Sequence, residues 1–214
     1  MKSKKIITAP LTHEKELYAQ GYALVCGVDE VGRGCIAGAV VAAAVIMPPD
    51  ETIPGVNDSK KLTPPERAEL AELIKSRAVA YGISFVSAED VDTDGIQAAT
   101  FAAMKQAIQS MIPAPDAILI DGKGKAEALK LETDTPCTFI IRGDSASHSI
   151  AAASIIAKVE RDNYMVKMRE TYPVYGFEQH KGYGTAPHFD AIQQYGLCPL
   201  HRKTFLKKLE NANA

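Results

Sequence analysis

Asp29 and Glu30 are adjacent carboxylates that follow the apolar run Tyr22 to Val28 and precede the turn Gly32-Arg33-Gly34. On a continuing strand their side chains point to opposite faces, whereas a strand end lets the backbone turn both toward one pocket. Gly32 and Gly34 let the main chain approach a ligand with its N–H groups free to donate, and Arg33 presents a planar fork suited to a phosphate oxygen. An acidic pair beside a glycine turn is equally an ordinary β-turn with solvated charges, so the rest of the chain decides. Two more apolar runs end on acids: Ala117 to Ile120 at Asp121-Gly122, and Cys137 to Ile141 at Arg142-Gly143-Asp144. Carboxylates a few ångströms apart repel and raise one another's pKa unless a cation joins them. With no His or Cys cluster nearby, all-oxygen ligation selects a hard ion, Mg2+ or Mn2+. Two such ions bridged by a shared Asp can activate water against a phosphodiester and stabilise the leaving oxygen without a protein nucleophile. Taken alone, Asp144 reads as readily as a helix cap in Gly-Asp-Ser. His148, His180, His188 and His201 are scattered and read as surface or satisfied core residues.

These acids need elements to carry them. Tyr22 to Val28 and Ala37 to Ile46 read as strands, joined so closely by the glycine turn that they pair antiparallel. A proline-rich loop leads through Asn57-Asp58-Ser59-Lys60-Lys61-Leu62 to a capping box at Thr63-Pro64-Pro65-Glu66. The helix that follows is expected to bury Leu70, Leu73 and Ile74. Ala78 to Val86 is a third strand. The spacing of Phe101, Met104, Ile108 and Met111 predicts a helix with an apolar core stripe. From His148 to about Tyr172, capped by Ser147 or Ser149, runs a long helix whose first turns are small and apolar all round, and Pro173 stops it. A short helix is expected at Thr12 to Ala19 and another around Pro187 to Tyr195. A hairpin followed by helix-interleaved strands argues for an α/β fold with a mixed sheet flanked by helices, whose ligand site lies beyond the strand ends.

Composition narrows the class of function. A chain of 214 residues with 46% hydrophobic residues supports one substantial core. The formal net charge of −2 counts against a polyanion partner, yet between Lys158 and Lys208 nine Lys and Arg face five Asp and Glu. That surplus suits either a phosphate footprint or a solvated helix face. Lys2, Lys4 and Lys5 precede too short an apolar stretch for a signal peptide, and the apolar run from Ile36 to Pro49 is too short to span a bilayer. The four cysteines are widely spaced without a CxxC pair. A cytoplasmic protein without membrane contact is the expectation.

The motifs resemble those of a known family. Gly27-Val28-Asp29-Glu30-Val31-Gly32-Arg33-Gly34, Asn57 to Leu62, Leu119-Ile120-Asp121-Gly122, Gly143-Asp144-Ser145, Ala152 to Asp162, His180-Lys181-Gly182-Tyr183 and His201 to Phe205 together resemble bacterial ribonuclease HII, the type 2 ribonucleases H. The resemblance runs from Val25 to Phe205. It implies a ribonuclease H-like core over residues 21–172, a polar lead-in over 1–20 and a helical C-terminal extension over 173–214. It further implies an endoribonuclease, expected to be monomeric, that cuts RNA in RNA/DNA hybrids. Duplex DNA containing single embedded ribonucleotides would be cut on their 5′ side, leaving a 3′-hydroxyl and a 5′-phosphate. The family's catalytic, metal-holding acids carry over to Asp29, Glu30, Asp121 and Asp144, with two divalent cations, Mg2+ or Mn2+. Its turn, here Gly32-Arg33-Gly34, contacts the 2′-hydroxyl and neighbouring phosphates. Its tyrosine, here Tyr183, packs on the sugar that follows the ribonucleotide. Lys60, Lys61, Lys158, Lys181 and Arg202 are expected phosphate contacts, and Asp162 stays outside the metal set as an ion-pair partner. Two rivals remain. An actin-like or sugar-kinase phosphotransferase needs a second glycine-rich phosphate loop and an adenosine segment that so short a chain does not show, and a hybrid-binding protein would bind without cutting.

Overall fold

The structure is a computed structural model that describes residues 7–129, 131 and 134–210, with the side chains of 208–210 outside the description. The first six residues of the expected lead-in and the last four residues lie outside it. In chain order the elements are α1 (Thr12–Ala19), β1 (Val25–Val31), β2 (Val40–Ile46), α2 (Pro64–Arg77), β3 (Ala80–Val86), α3 (Ala88–Asp94), α4 (Ile96–Gln109), β4 (Ala117–Asp121), β5 (Cys137–Ile140), α5 (Gly143–Ala146), α6 (His148–Thr171), α7 (Phe177–His180), α8 (Ala186–Tyr195) and α9 (Lys203–Glu210). The strands form one mixed sheet in the order β3-β2-β1-β4-β5. β1 pairs antiparallel with β2 and parallel with β4, and β4 pairs parallel with β5. Glu66 accepts hydrogen bonds from both the Thr63 N–H and its hydroxyl, the reciprocal cap expected at the head of α2.

Helices cover both faces. On one side Cys26, Val28, Val40, Ala42 and Ala44 pack against Ala103, Met104 and Ala107 of α4. On the other, Ala43 and Val45 meet Ala152, Ala153 and Ile156 of α6 and Ile74 of α2. The small residues of α6 let it lie almost on the sheet. A Cβ built on Gly27 would stand 2.1 Å from the Ser149 carbonyl carbon, so β1 and α6 meet backbone to backbone at this position. No described helix is long and apolar enough to cross a membrane.

Three local expectations shift. β2 begins at Val40 rather than Ala37, because Gly38 takes a φ of 86° and Ala37 forms a bridge with His201 instead of joining the ladder. α2 buries Ala71 and Ile74, and Leu73 is exposed, since that helix shows α6 a narrow face. The lead-in is less detached than its polarity suggests. Glu14 of α1 is fully buried, and one of its carboxylate oxygens accepts from the Ser147 hydroxyl at 2.6 Å and the Ser149 N–H at 2.8 Å. It thereby places negative charge at the N-terminus of α6.

Replacing Gly27 by alanine forces α6 away from β1, and such overpacking costs at least about 2 kcal/mol. The expected outcome is an unfolding midpoint several degrees lower by calorimetry; an unchanged midpoint would show that the contact is not tight.

Candidate active site at the strand ends

β1 continues as a strand through both Asp29 and Glu30, so their side chains leave on opposite faces of the sheet. Asp29 faces α6. It is 6% exposed, its carboxylate accepts the Glu30 N–H at 2.8 Å, and it is hydrogen-bonded to the Ser154 side chain of α6. Ser154 is in turn 3.0 Å from the Ser59 hydroxyl, which links the loop before α2 to the same point. Glu30 faces α4, beside a cavity of 130 Å³ that it shares with Arg33, Thr100, Phe101, Asp121 and Lys123. Parallel pairing sets Val28 beside Ile120, which puts Asp29 and Asp121 at neighbouring strand ends. Asp121 accepts the Gly143 N–H at 2.6 Å, and that bond ties the end of β4 to the first residue of α5, which carries Asp144. Arg142 enters that helix from the left-handed region, with φ 57°.

The electrostatics follow from this crowding. Burial pushes the Asp29 carboxyl well above the usual carboxylate range, the charges of Glu30 and Asp121 push it further, and the Ser154 hydrogen bond opposes them. Glu30 is raised by burial, against the Arg33 guanidinium, whose Nη1 is 3.6 Å away. Asp144, 8% exposed, is raised by burial and then by Asp58 and Asp121, while Lys60 and Lys61 pull it down. The Lys60 ammonium lies 3.7 Å from Asp144. Among the described residues no three His, Cys, Asp or Glu side chains already converge in a shape that would hold a metal ion. Instead each of the four carboxylates is turned to a neighbouring donor: Asp29 to the Glu30 N–H, Glu30 to Arg33, Asp121 to the Gly143 N–H and Asp144 to Lys60. The donor set itself fits a hard divalent cation, being all oxygen, and its mutual repulsion is what such an ion would relieve.

The other expected site residues divide into groups. Lys61 Nζ reaches Asn57 at 3.3 Å and Ser145 at 3.2 Å, beside Asp144. Tyr183, 43% exposed, follows a segment pinned to the glycine turn, because the Gly182 carbonyl accepts from Ile36 and Ala37 at 3.0 and 3.2 Å. The Lys158 ammonium stands 5.9 Å from the centre of the Tyr183 ring and pairs with Asp162 at 2.7 Å, so Asp162 is an ion-pair partner with Lys158 rather than with Arg161. Lys181 bends back to donate to the Glu178 carbonyl. Arg202 is completely buried, with its guanidinium spent on main-chain carbonyls, and has no surface from which to meet a phosphate.

Two features escaped the sequence reading. Ser154 stands out only as a polar residue in an otherwise apolar buried run. The histidines, scattered in sequence, gather behind Tyr183. The Cys198 N–H donates to His201 Nδ1, so His201 carries its proton on Nε2 and gives it to His188 Nε2 at 3.1 Å. His188 then donates from Nδ1 to the Tyr183 carbonyl at 2.8 Å. His180 stacks on His188 with ring centres 4.1 Å apart, accepts the Gly182 N–H and donates to the Tyr175 carbonyl. The relay requires neutral rings.

The chain is similar to known proteins. A family model described as ribonuclease HII matches residues 26–209. Ribonuclease HII of Acetivibrio thermocellus is 49% identical over 195 residues, 91% of this chain and 74% of that protein. Ribonuclease HII of Chlamydia pneumoniae is 48% identical over 196 residues, 91% and 89% of the two chains. Among solved structures, the ribonuclease H2 from Pyrococcus horikoshii superposes with a TM-score of 0.72 at 27% identity, covering 84% of this chain and 92% of that one. The ribonuclease HII in the PCNA complex from Archaeoglobus fulgidus gives 0.70 at 26%, covering 84% and 93%.

Burial depresses His188 to about 4, and burial lowers His180 and His201 as well. Between that value and the ordinary 6.5 the unfolded chain binds more protons, so stability is fully present above pH 6.5 and is lost as pH falls toward 4. For His188 alone the loss amounts to about 3 kcal/mol. His188→Gln should show a shallower fall of the unfolding midpoint between pH 6.5 and 4.5 than the parent, and equal slopes would contradict the relay.

Proposed function

The chain belongs to the ribonuclease HII family and is a metal-dependent endoribonuclease acting on RNA in RNA/DNA hybrids, and we propose that it also incises duplex DNA on the 5′ side of a single embedded ribonucleotide, leaving a 3′-hydroxyl and a 5′-phosphate. The observation that carries this reading is the meeting of the strand ends at Asp29 and Asp121, with Asp144 in α5 tied to Asp121 through Gly143, beside a glycine turn whose Arg33 and Gly34 N–H groups have no partner among the described residues. Asp29, Glu30, Asp121 and Asp144 would hold two divalent cations, Mg2+ or Mn2+, which supply Lewis-acid stabilisation of the phosphodiester oxygens and a more acidic water.

The chain's own groups do the rest. Burial and the neighbouring acids raise the Asp29 carboxyl above the usual carboxylate range, a repulsion that a bound cation would relieve. Ser154 and the Glu30 N–H hold that carboxyl in one orientation. Lys60 keeps a cation beside Asp144, and with Lys61 and Lys158 lines the approach for the phosphate backbone. Main-chain N–H groups of the Gly32-Arg33-Gly34 turn can donate to a 2′-oxygen that DNA lacks. Tyr183 offers a half-exposed ring for the next sugar, where a second 2′-hydroxyl would crowd it. Lys181 remains a candidate phosphate contact once its bond to the Glu178 carbonyl is released. Arg202 is withdrawn from the phosphate contacts on account of its burial.

Incubating a duplex that holds one ribonucleotide with the protein and Mg2+ should give a single cut on the 5′ side of that nucleotide. Binding without a cut would favour the non-catalytic rival. Asp121→Asn should lower the cleavage rate by about 100- to 1000-fold, the scale for losing one preorganised electrostatic stabiliser of a reacting centre, with the unfolding midpoint kept; a near-normal rate would remove Asp121 from the site. Tyr183→Ala should lose more activity on the single ribonucleotide than on a long RNA tract, and equal losses would refute the sugar contact.

A further inference from the structure

Arg161 and Arg202 are among the largest fully buried side chains, and among the described residues neither makes an ion pair. A buried cation without a carboxylate must be satisfied by dipoles, and these two are. Arg202 donates from Nη1 to the carbonyls of Arg33 at 3.1 Å and Cys35 at 2.8 Å, and from Nε and Nη2 to Gly38 at 3.1 and 2.8 Å. Arg161 donates from Nε to Ala39 at 3.0 Å, from Nη2 to Ala37 at 3.2 Å and from Nη1 to Lys181 at 2.8 Å. Both guanidinium groups therefore grip one short segment, the one running from the glycine turn into β2. Arg161 also lies directly beneath Gly32, where a Cβ would come within 2.2 Å of its Nε.

The geometry of a peptide bond gives this grip a consequence for the ligand side. In a trans peptide the C=O and the N–H point in opposite directions. With the Arg33 carbonyl drawn inward to Arg202, the Gly34 N–H faces outward, where a Cβ on Gly34 would meet nothing within 4 Å. The Gly32 carbonyl is likewise taken by the Cys35 N–H at 3.3 Å, which turns the Arg33 N–H the other way. Among the described residues neither N–H has a partner within the chain.

We infer that Arg202 and Arg161 are positioning residues for ribonucleotide selection. Arg202 aims the Gly34 N–H outward as a donor to the 2′-oxygen, and Arg161 couples the turn to the Lys181 carbonyl beside Tyr183, so that both reading elements are held as one body. The inference rests on the reading of the turn and of Tyr183 given above. It also explains why a residue late in the chain carries a buried arginine where a surface lysine would serve any phosphate equally well. Only a planar fork reaches three carbonyls on one bend.

The test compares the affinity for a duplex with one embedded ribonucleotide with that for the all-DNA duplex of the same sequence, by fluorescence anisotropy in EDTA so that nothing is cut. The wild-type protein should prefer the ribonucleotide duplex. Arg202→Lys and Arg161→Lys should shrink that preference about tenfold, the scale for losing a hydrogen bond that involves a charged group, while affinity for all-DNA duplex stays within about twofold. A wild type without preference removes the reading of the turn itself. A preference that survives in cooperatively unfolding variants, or equal weakening on both duplexes, overturns the inference alone. Should both variants fail to fold, amide hydrogen exchange on the wild type decides. The Gly34 N–H should exchange freely in the free protein and be protected by the ribonucleotide duplex only; protection in the free protein, or equal protection by both duplexes, overturns it.

Discussion

The architecture depends on the contact of α6 with β1 at Gly27, where two backbones approach with no side chain between them. That closeness requires the small, fully buried run of α6, and it is why Ala151, Ala152 and Ala153 meet the sheet where larger residues would stand off. It also sets the height of Ser154 over the end of β1, so that a hydroxyl of the helix reaches a carboxylate of the strand. The lead-in helps hold the arrangement from the far side, through the Glu14 carboxylate at the first turn of α6. A structural contact in the middle of the sheet thus fixes the position of a functional group at its edge.

At that edge the fold gathers charges of one sign that apolar packing alone does not favour. Asp29 is nearly buried beside two other acids, and burial and repulsion act on it in the same direction. Strongly perturbed carboxylates of this kind cluster at functional sites. Arg33 and Lys60, with the main-chain N–H groups of Glu30 and Gly143, supply partial relief, so each of the four carboxylates leans toward a local donor.

Much of this was legible in the sequence because the signals are periodic or local. The short glycine turn predicted the antiparallel hairpin, the capping box marked the head of α2, and the apolar runs ending on acids pointed to the strand ends where Asp29 and Asp121 lie side by side. Residues whose role depends on long-range burial were not legible. Arg202 reads as a surface cation by its type and by its basic neighbours, and nothing local reveals that it ends on carbonyls more than 160 positions away. The histidines read as surface or satisfied core residues because they are scattered, and His188 and His201 are indeed buried and hydrogen-bonded; only the fold shows that those at 180, 188 and 201 meet. Leu73 was expected inside because its apolar character says nothing of how narrow a face α2 buries.

The span of the Arg202 contact also orders events during synthesis. Its bond to Gly38 joins residues 164 positions apart, so it forms only when nearly all of the described chain is available. A ribosome releases the polypeptide from its N-terminus onward. Asp29, Asp121 and Asp144 are all made before Arg202. The clamp of Arg202 on the segment after the glycine turn can therefore close only once every one of those acids is already in the chain.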